Sequence, residues 1–364
     1  MLKRLLIAGS VASFVLACRS TPRSPIVLGA AGPWTEEYGA MNRRGIELAV
    51  EELNGPTPGT TPRVQVLFRD DGGDGMRAAA IAQEFVNRRD VVAVIGHVNS
   101  GAMVAAARVY DGHLPAVATT ASTPALTGIS PWTFRVISSD SMNGLEIARF
   151  AMRRGRRRAV ILYENNAYGR GLTDAFVRGF KGEIVSSDPI AEGGAQDFEP
   201  FVTYFKRQTP DVVFVAGTGA SGLSFLREAR RQALVADLVG GDGWSVLAAD
   251  TTVADGIFVG APFTAEDGRV DARRFVERFR KRYGITPDGN AALAYDATML
   301  LADAAGHGGT DRARVRDYLA ALAAEGGFHG VTGTIAFSPD GDPVGKAIVM
   351  TRVRRGALTV EDAQ

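Results

Sequence analysis

The sequence predicts an α/β protein built from two doubly wound parallel sheets. Three observations lead there. Short apolar runs, several rich in Val or Ile, recur from Ile26 onward, as expected for strands buried on both faces of a parallel sheet. Amphipathic stretches separate them, giving the βαβα order of a doubly wound fold. The series also occurs twice, over roughly residues 26–136 and again from near Asp140 to about Ala254.

The chain opens on a segment that is not part of this body. Lys3 and Arg4 precede the apolar run LLIAGSVASFVLA, which reads as the n-region and h-region of a secretory signal. Val15, Leu16, Ala17 and Cys18 resemble the lipobox read by signal peptidase II, so Cys18 is the expected lipidation site. Residues 1–17 are then the signal peptide and 18–25 a polar, lipidated tether. The apolar run is too short to remain as a spanning helix, which needs ~20 residues.

In the first series the expected strands are IVLGAAG, VQVLFRD, VVAVIG and PAVATT. Between the first two, Ile46, Ala49, Val50 and Leu53 fall at i, i+3, i+4, i+7, the stripe of an amphipathic helix. In the second series the strands are AVILYE, DVVFVAG, DLVGGD and IFVGAP. Phe198, Phe201, Val202 and Phe205 repeat the helical spacing, with Asp197 placed to cap. Helices RRFVERFRKRYG and LAYDATMLLADAAG follow. The end, VTGTIAFSPDGDPVGKAIVMTRVRRGAL, reads as strands joined by a Gly/Asp/Pro turn.

Composition narrows the function. Lys+Arg number 41 and Asp+Glu 40, a balance that points to no nucleic-acid partner. A hydrophobic content of 46% indicates substantial cores. Cys18 is the one cysteine, so the body is expected to be stable without disulfides. The four histidines, at 97, 113, 307 and 329, have no metal-ligand spacing. Neither metal nor cofactor is expected.

Ligands of open α/β sheets bind beyond the carboxyl ends of the strands. Those segments here are rich in Gly, Ser, Thr and Asn, and several enter helix N-termini, which attract anions. Ser100 and Ser122 are placed to donate hydroxyls. Tyr38, Tyr168 and Trp244 offer flat walls with polar edges. Asp242 is the acid that ends a second-series strand and is free to meet a cation. Each Ser or Thr alone also reads as a helix cap, and Asp70 and Asp71 in RDDGGDG read as a turn plus cap. Convergence in both halves favours binding. GTGASG at 217–222 matches a dinucleotide fingerprint, a poor fit to an extracytoplasmic chain. No G-x-S-x-G elbow supports a hydrolase.

The segments GAAGPWTEEYGAMNRRGIELAVEELN, VVAVIGHVNSG, TTASTPALT, FRVISSD, AYGRGL, PDVVFVAGTG and GGDGW, in that order, resemble the type I periplasmic binding proteins of branched-chain amino acid ABC transporters. The resemblance implies two lobes joined by three crossovers, near 138–140, 256–259 and 329–332. The lobes would be 26–138 plus 257–329, and 139–256 plus 330–364, closing on a ligand like a trap. It assigns the ligand carboxylate to Ser100, Thr120 and Ser122 and the ammonium to Asp242. Tyr168, Tyr38 and the Gly217 and Thr218 pair complete the wall, with Trp244 beside Asp242. The implied function is non-enzymatic capture of an amino acid, branched-chain or otherwise apolar, for an ABC permease, by a monomer. Trp34, Tyr38, Tyr168, Trp244 and Tyr295 are the candidates for an apolar or aromatic pocket. The alternative is a sensing protein for an amide, urea or an aromatic acid.

Overall fold

The computed structural model describes residues 25–55, 63–193 and 195–361. Cys18 and the signal segment lie outside them. Among the described residues no helix is long and apolar enough to cross a membrane.

The first sheet holds β1 (Ile26–Gly32), β2 (Val64–Asp70), β3 (Val91–Gly96), β4 (Ala116–Ala118) and β5 (Thr133–Arg135). Its order is β2-β1-β3-β4-β5 and every pairing is parallel. Helices α1 (Glu37–Asn54), α2 (Gly75–Asn87) and α3 (Ser100–Tyr110) make the crossovers. β3 is buried along its whole length, which is why VVAVIG shows no alternation.

The second sheet repeats the plan. Its parallel strands are β6 (Arg158–Glu164), β7 (Glu183–Ile190), β8 (Val212–Ala216), β9 (Asp237–Gly240) and β10 (Phe258–Ala261). Helices α4 (Asp140–Arg153), α5 (Ala167–Gly179), α6 (Glu199–Gln208) and α7 (Gly219–Arg231) flank them. Phe198 holds the N-cap position of α6, and Asp197, one residue ahead of it, accepts a bond from Glu199 N at 3.0 Å.

The chain then returns to the first sheet with α8 (Val270–Tyr283), α9 (Gly289–Gly308) and α10 (Arg312–Ala321). Leu293, Leu300 and Leu301 of α9 share a core with Leu28, Ile95 and Phe134. Gly45 lets α1 and α9 touch backbone to backbone: a Cβ there would stand 2.1 Å from Ala291 O. A hairpin, β11 (Phe328–Gly330) with β12 (Gly333–Ile335), follows. Finally β13 (Val349–Arg354) pairs antiparallel with β10 and β14 (Ala357–Val360) antiparallel with β13, completing the order β14-β13-β10-β9-β8-β6-β7.

The first crossing runs through Ser138 and Ser139 into α4. The other two lie further along the chain than 256–259 and 329–332. β10 is hydrogen-bonded between β9 and β13, so residues 257–261 belong to the second lobe. Ile335 and Phe337 sit in the first core, and Arg135 N donates to Gly341 O. The last crossing therefore falls between that turn and Ile348, which packs in the second lobe.

Candidate functional site

The strand ends of the two sheets face one another across a cleft lined by residues of both lobes. Six residues expected there line it: Tyr38, Ser100, Thr120, Tyr168, Thr218 and Asp242.

The first-lobe wall is built around the start of α3. Asn99 occupies the N-cap position but makes no capping bond. Its side chain instead donates to Tyr38 Oη at 2.9 Å. The first N–H groups of α3 thus keep their partial positive charge toward the cleft. Ser100 Oγ accepts from Thr123 N at 3.2 Å, which leaves its own proton to donate. Thr120 Oγ1 donates to Val98 O at 3.2 Å. Burial pushes the Tyr38 phenol up to about 12, so it stays neutral. This side of the cleft suits a carboxylate.

The second-lobe wall is acidic. Asp242 opens a 3-10 turn directly after β9, and its Oδ1 accepts from Tyr168 Oη at 2.9 Å. Tyr168 Oη in turn accepts from Gly243 N at 3.2 Å. Burial lifts the Asp242 carboxyl to about 6, against the pull of the Tyr168 bond. Among the described residues no Lys or Arg lines the cleft. An ammonium placed here would be the cation nearest to hand.

Glu164, at the end of β6, is buried behind this wall. Its Oε1 accepts from Thr218 N (3.0 Å), Thr218 Oγ1 (2.7 Å) and Ser221 Oγ (2.8 Å). An acid therefore fills the GTGASG loop where a pyrophosphate would have to bind, and the dinucleotide reading fails on charge. Its glycines serve packing: a Cβ on Gly222 would stand 2.4 Å from Trp244 Nε1, and one on Gly219 2.4 Å from Val246 Cγ2.

Two expected residues are not in the wall. Trp244 is fully buried and packs in the second core with Phe225 and Leu226. Gly240 makes room for its ring, since a Cβ there would lie 2.2 Å from Trp244 Cδ2. Ser122 is also fully buried. Its Oγ donates to Asp140 Oδ2 at 3.0 Å, and its carbonyl accepts from Asp140 N and from Arg135 Nη1, both at 2.9 Å. It ties the lobes together at the first crossing. Burial first, and then the nearby Asp242 carboxylate, hold Asp140 well above the usual carboxylate range.

Trp34 and Tyr295 lie elsewhere too. Trp34 Nε1 donates to Arg69 O at 2.8 Å and Tyr295 Oη to Glu52 Oε2 at 2.7 Å. Asp71 accepts from Gly73 N at 2.8 Å and meets His97 Nδ1 at 2.6 Å, a buried turn network.

Four lining residues with polar side chains escaped the sequence reading: Asn99, Asn166, Glu192 and Asn290. Asn99 and Asn166 stand in loops already singled out, each one position from a helix start. Asn290 opens α9 and Glu192 follows β7, where nothing in the sequence marks a strand end facing a ligand.

The periplasmic binding protein family model matches residues 25–357. A Leu/Ile/Val-binding protein homolog 2 from Brucella abortus is 26% identical over 368 residues, covering 98% of this chain and 97% of that protein. An amino acid binding protein from Pseudomonas aeruginosa is 27% identical over 337 residues, covering 88% and 89%. The branched-chain amino acid transporter substrate-binding protein LivJ from Streptococcus pneumoniae, solved with isoleucine, superposes with a TM-score of 0.84 at 27% identity, covering 92% of this chain and 98% of that one. With two α/β lobes, a cleft between their strand ends and a family match over nearly the whole described body, the chain belongs to the periplasmic binding protein family.

Proposed function

We propose that this protein captures an α-amino acid between its lobes outside the cytoplasm and hands it to an ABC permease. One observation carries the reading: the N-terminus of α3 with Ser100 faces Asp242 across a single cleft, each on a different lobe. Donors then meet the ligand carboxylate and an acid meets its ammonium. Only the closed form makes both contacts, so ligand shifts the open–closed equilibrium toward closure. The ligand-binding set is Tyr38, Ser100, Thr120, Tyr168, Thr218 and Asp242. The names of the relatives support leucine, isoleucine and valine as members of the ligand class, and delivery to a transporter. Lipid attachment at Cys18 would hold the monomer at the membrane by its tether.

A thermal-shift screen of the soluble body tests this. A ligand at ~100-fold its Kd stabilises by ~2.7 kcal/mol, a rise of several degrees for lobes of this size. α-Amino acids should produce it. A response only to amides, urea or aromatic acids would overturn the amino-acid reading.

A further inference from the structure

We infer that Glu164 is a positioning residue for the ligand ammonium: from behind the second-lobe wall it fixes Asn166 and Thr218 and adds a second buried negative charge to that of Asp242. This rests on the amino-acid reading above and deepens it. Affinity for the ammonium then comes from two acids, of which Asp242 lines the cleft and Glu164 does not.

Glu164 is 1% exposed. While Oε1 takes the Thr218 and Ser221 bonds, Oε2 accepts from Asn166 Nδ2 at 3.2 Å. Asn166 and Thr218 both line the cleft, and they follow different strands, β6 and β8. One carboxylate therefore joins two pieces of the wall. Asn166 Oδ1 in turn accepts from Gly169 N at 2.8 Å, so the hold passes into the start of α5, which carries Tyr168 and its bond to Asp242. A carboxyl whose every bond is an accepted one is in its ionised form. Its donors are neutral, and among the described residues no Lys, Arg or His pairs with it. The free protein leaves this buried charge without a counter-ion, which is costly unless a bound cation answers it. Its field reaches across the cleft. Tyr38 stands on the facing wall, and its phenol is held up by burial first and then, against the Asn99 bond, by the charges of Glu36, Glu164 and Asp71. An ammonium closed between the two walls meets the Glu164 charge with the opposite sign of effect.

The test is calorimetric titration of the intact soluble body with leucine and with its α-hydroxy acid analogue, which keeps the skeleton and carboxylate and replaces the ammonium by a hydroxyl. Glu164→Gln keeps an acceptor for Thr218 and Ser221 and removes the charge. It should weaken leucine by about threefold to thirtyfold, as a second charge acting at longer range than Asp242, and leave the hydroxy acid unchanged or bound more tightly. Equal losses for the two ligands would assign Glu164 a purely structural role, and no loss for either would remove it from recognition. Each of those results overturns the inference and leaves amino acid capture standing. Glu164→Asp keeps the charge and withdraws it from Thr218, so it should retain the preference of wild type for leucine over the hydroxy acid. A preference lost in that variant also overturns the inference. Wild-type protein that binds no α-amino acid would overturn both readings.

Discussion

Replacing Asp242 by Asn isolates one charge at the centre of the cleft. The carboxylate accepts a neutral hydrogen bond from Tyr168 at 2.9 Å and is helped by the backbone N–H groups of Asp242 and Gly243, and among the described residues no Lys or Arg lines the cleft around it. In the proposed complex the ligand ammonium is its ionic partner. Asn keeps an oxygen for Tyr168 and the size of the side chain, so the second lobe should fold unchanged. What is lost is the partner of an ammonium closed away from water, a loss of ~2–5 kcal/mol in comparable interfaces. At 1.4 kcal/mol per decade that is roughly 30-fold to a few thousandfold in Kd. Calorimetric titration with leucine reads it directly. A variant binding within threefold of wild type would refute the placement of the ammonium.

The same residue sets a pH signature. Burial raises its carboxyl from 3.8 to about 6, so it is mostly ionised at pH 7. Below pH 6 it takes up a proton and affinity should fall by about a decade per unit, following the fraction ionised. Stability of the free protein runs the other way. Between 3.8 and about 6 the folded state holds a proton that the unfolded chain has released, so this group's contribution weakens as pH rises through that window. Asp242→Asn should flatten both trends. An affinity that does not fall between pH 7 and pH 5 would count against an ionised Asp242 as the ammonium partner.

Two further outcomes separate neighbouring roles. Trp244→Ala should cost ~3–5 kcal/mol by opening a cavity in the second core, seen in chemical denaturation, while shifting leucine affinity far less than Asp242→Asn; the reverse pattern would return Trp244 to the binding wall. Cys18→Ser should abolish incorporation of labelled palmitate in cells, and label that persists would place the lipid elsewhere.

Much of the fold was legible because parallel strands are buried on both faces and announce themselves as unbroken apolar runs. β7 was not, because it is an edge strand whose residues are mostly exposed or half-buried, with Pro189 inside it. The lobe boundaries were misplaced for a different reason. IFVGAP reads as a strand, but which sheet it joins is decided by partners such as Arg352, opposite Phe258, and that pairing leaves no local signature. Within the site, Ser100, Tyr168 and Thr218 were found at or beside helix starts, while Asn99 and Asn166 in the same loops were passed over. Asn290 was missed because it reaches the cleft from α9, a helix buried nearly all round that shows no face to read.

Ser122 shows why a plausible donor can serve another end. Its loop has the composition of a carboxylate-binding turn, yet the hydroxyl is directed to Asp140 Oδ2 and the carbonyl to Asp140 N and Arg135. Arg135 is itself anchored by Asp342 at 2.6 Å, on the turn just before the third crossing. First and third crossings are thus linked through one buried guanidinium and one serine. Asp140 stands at the start of the second-lobe helix α4, close enough to Asp242 for the two acids to oppose each other's ionisation. In the proposed complex an ammonium at Asp242 would relieve that opposition at the point where the lobes join. On that proposal ligand recognition and the geometry of closure share a group of side chains, and Ser122 belongs to the joint rather than to the wall.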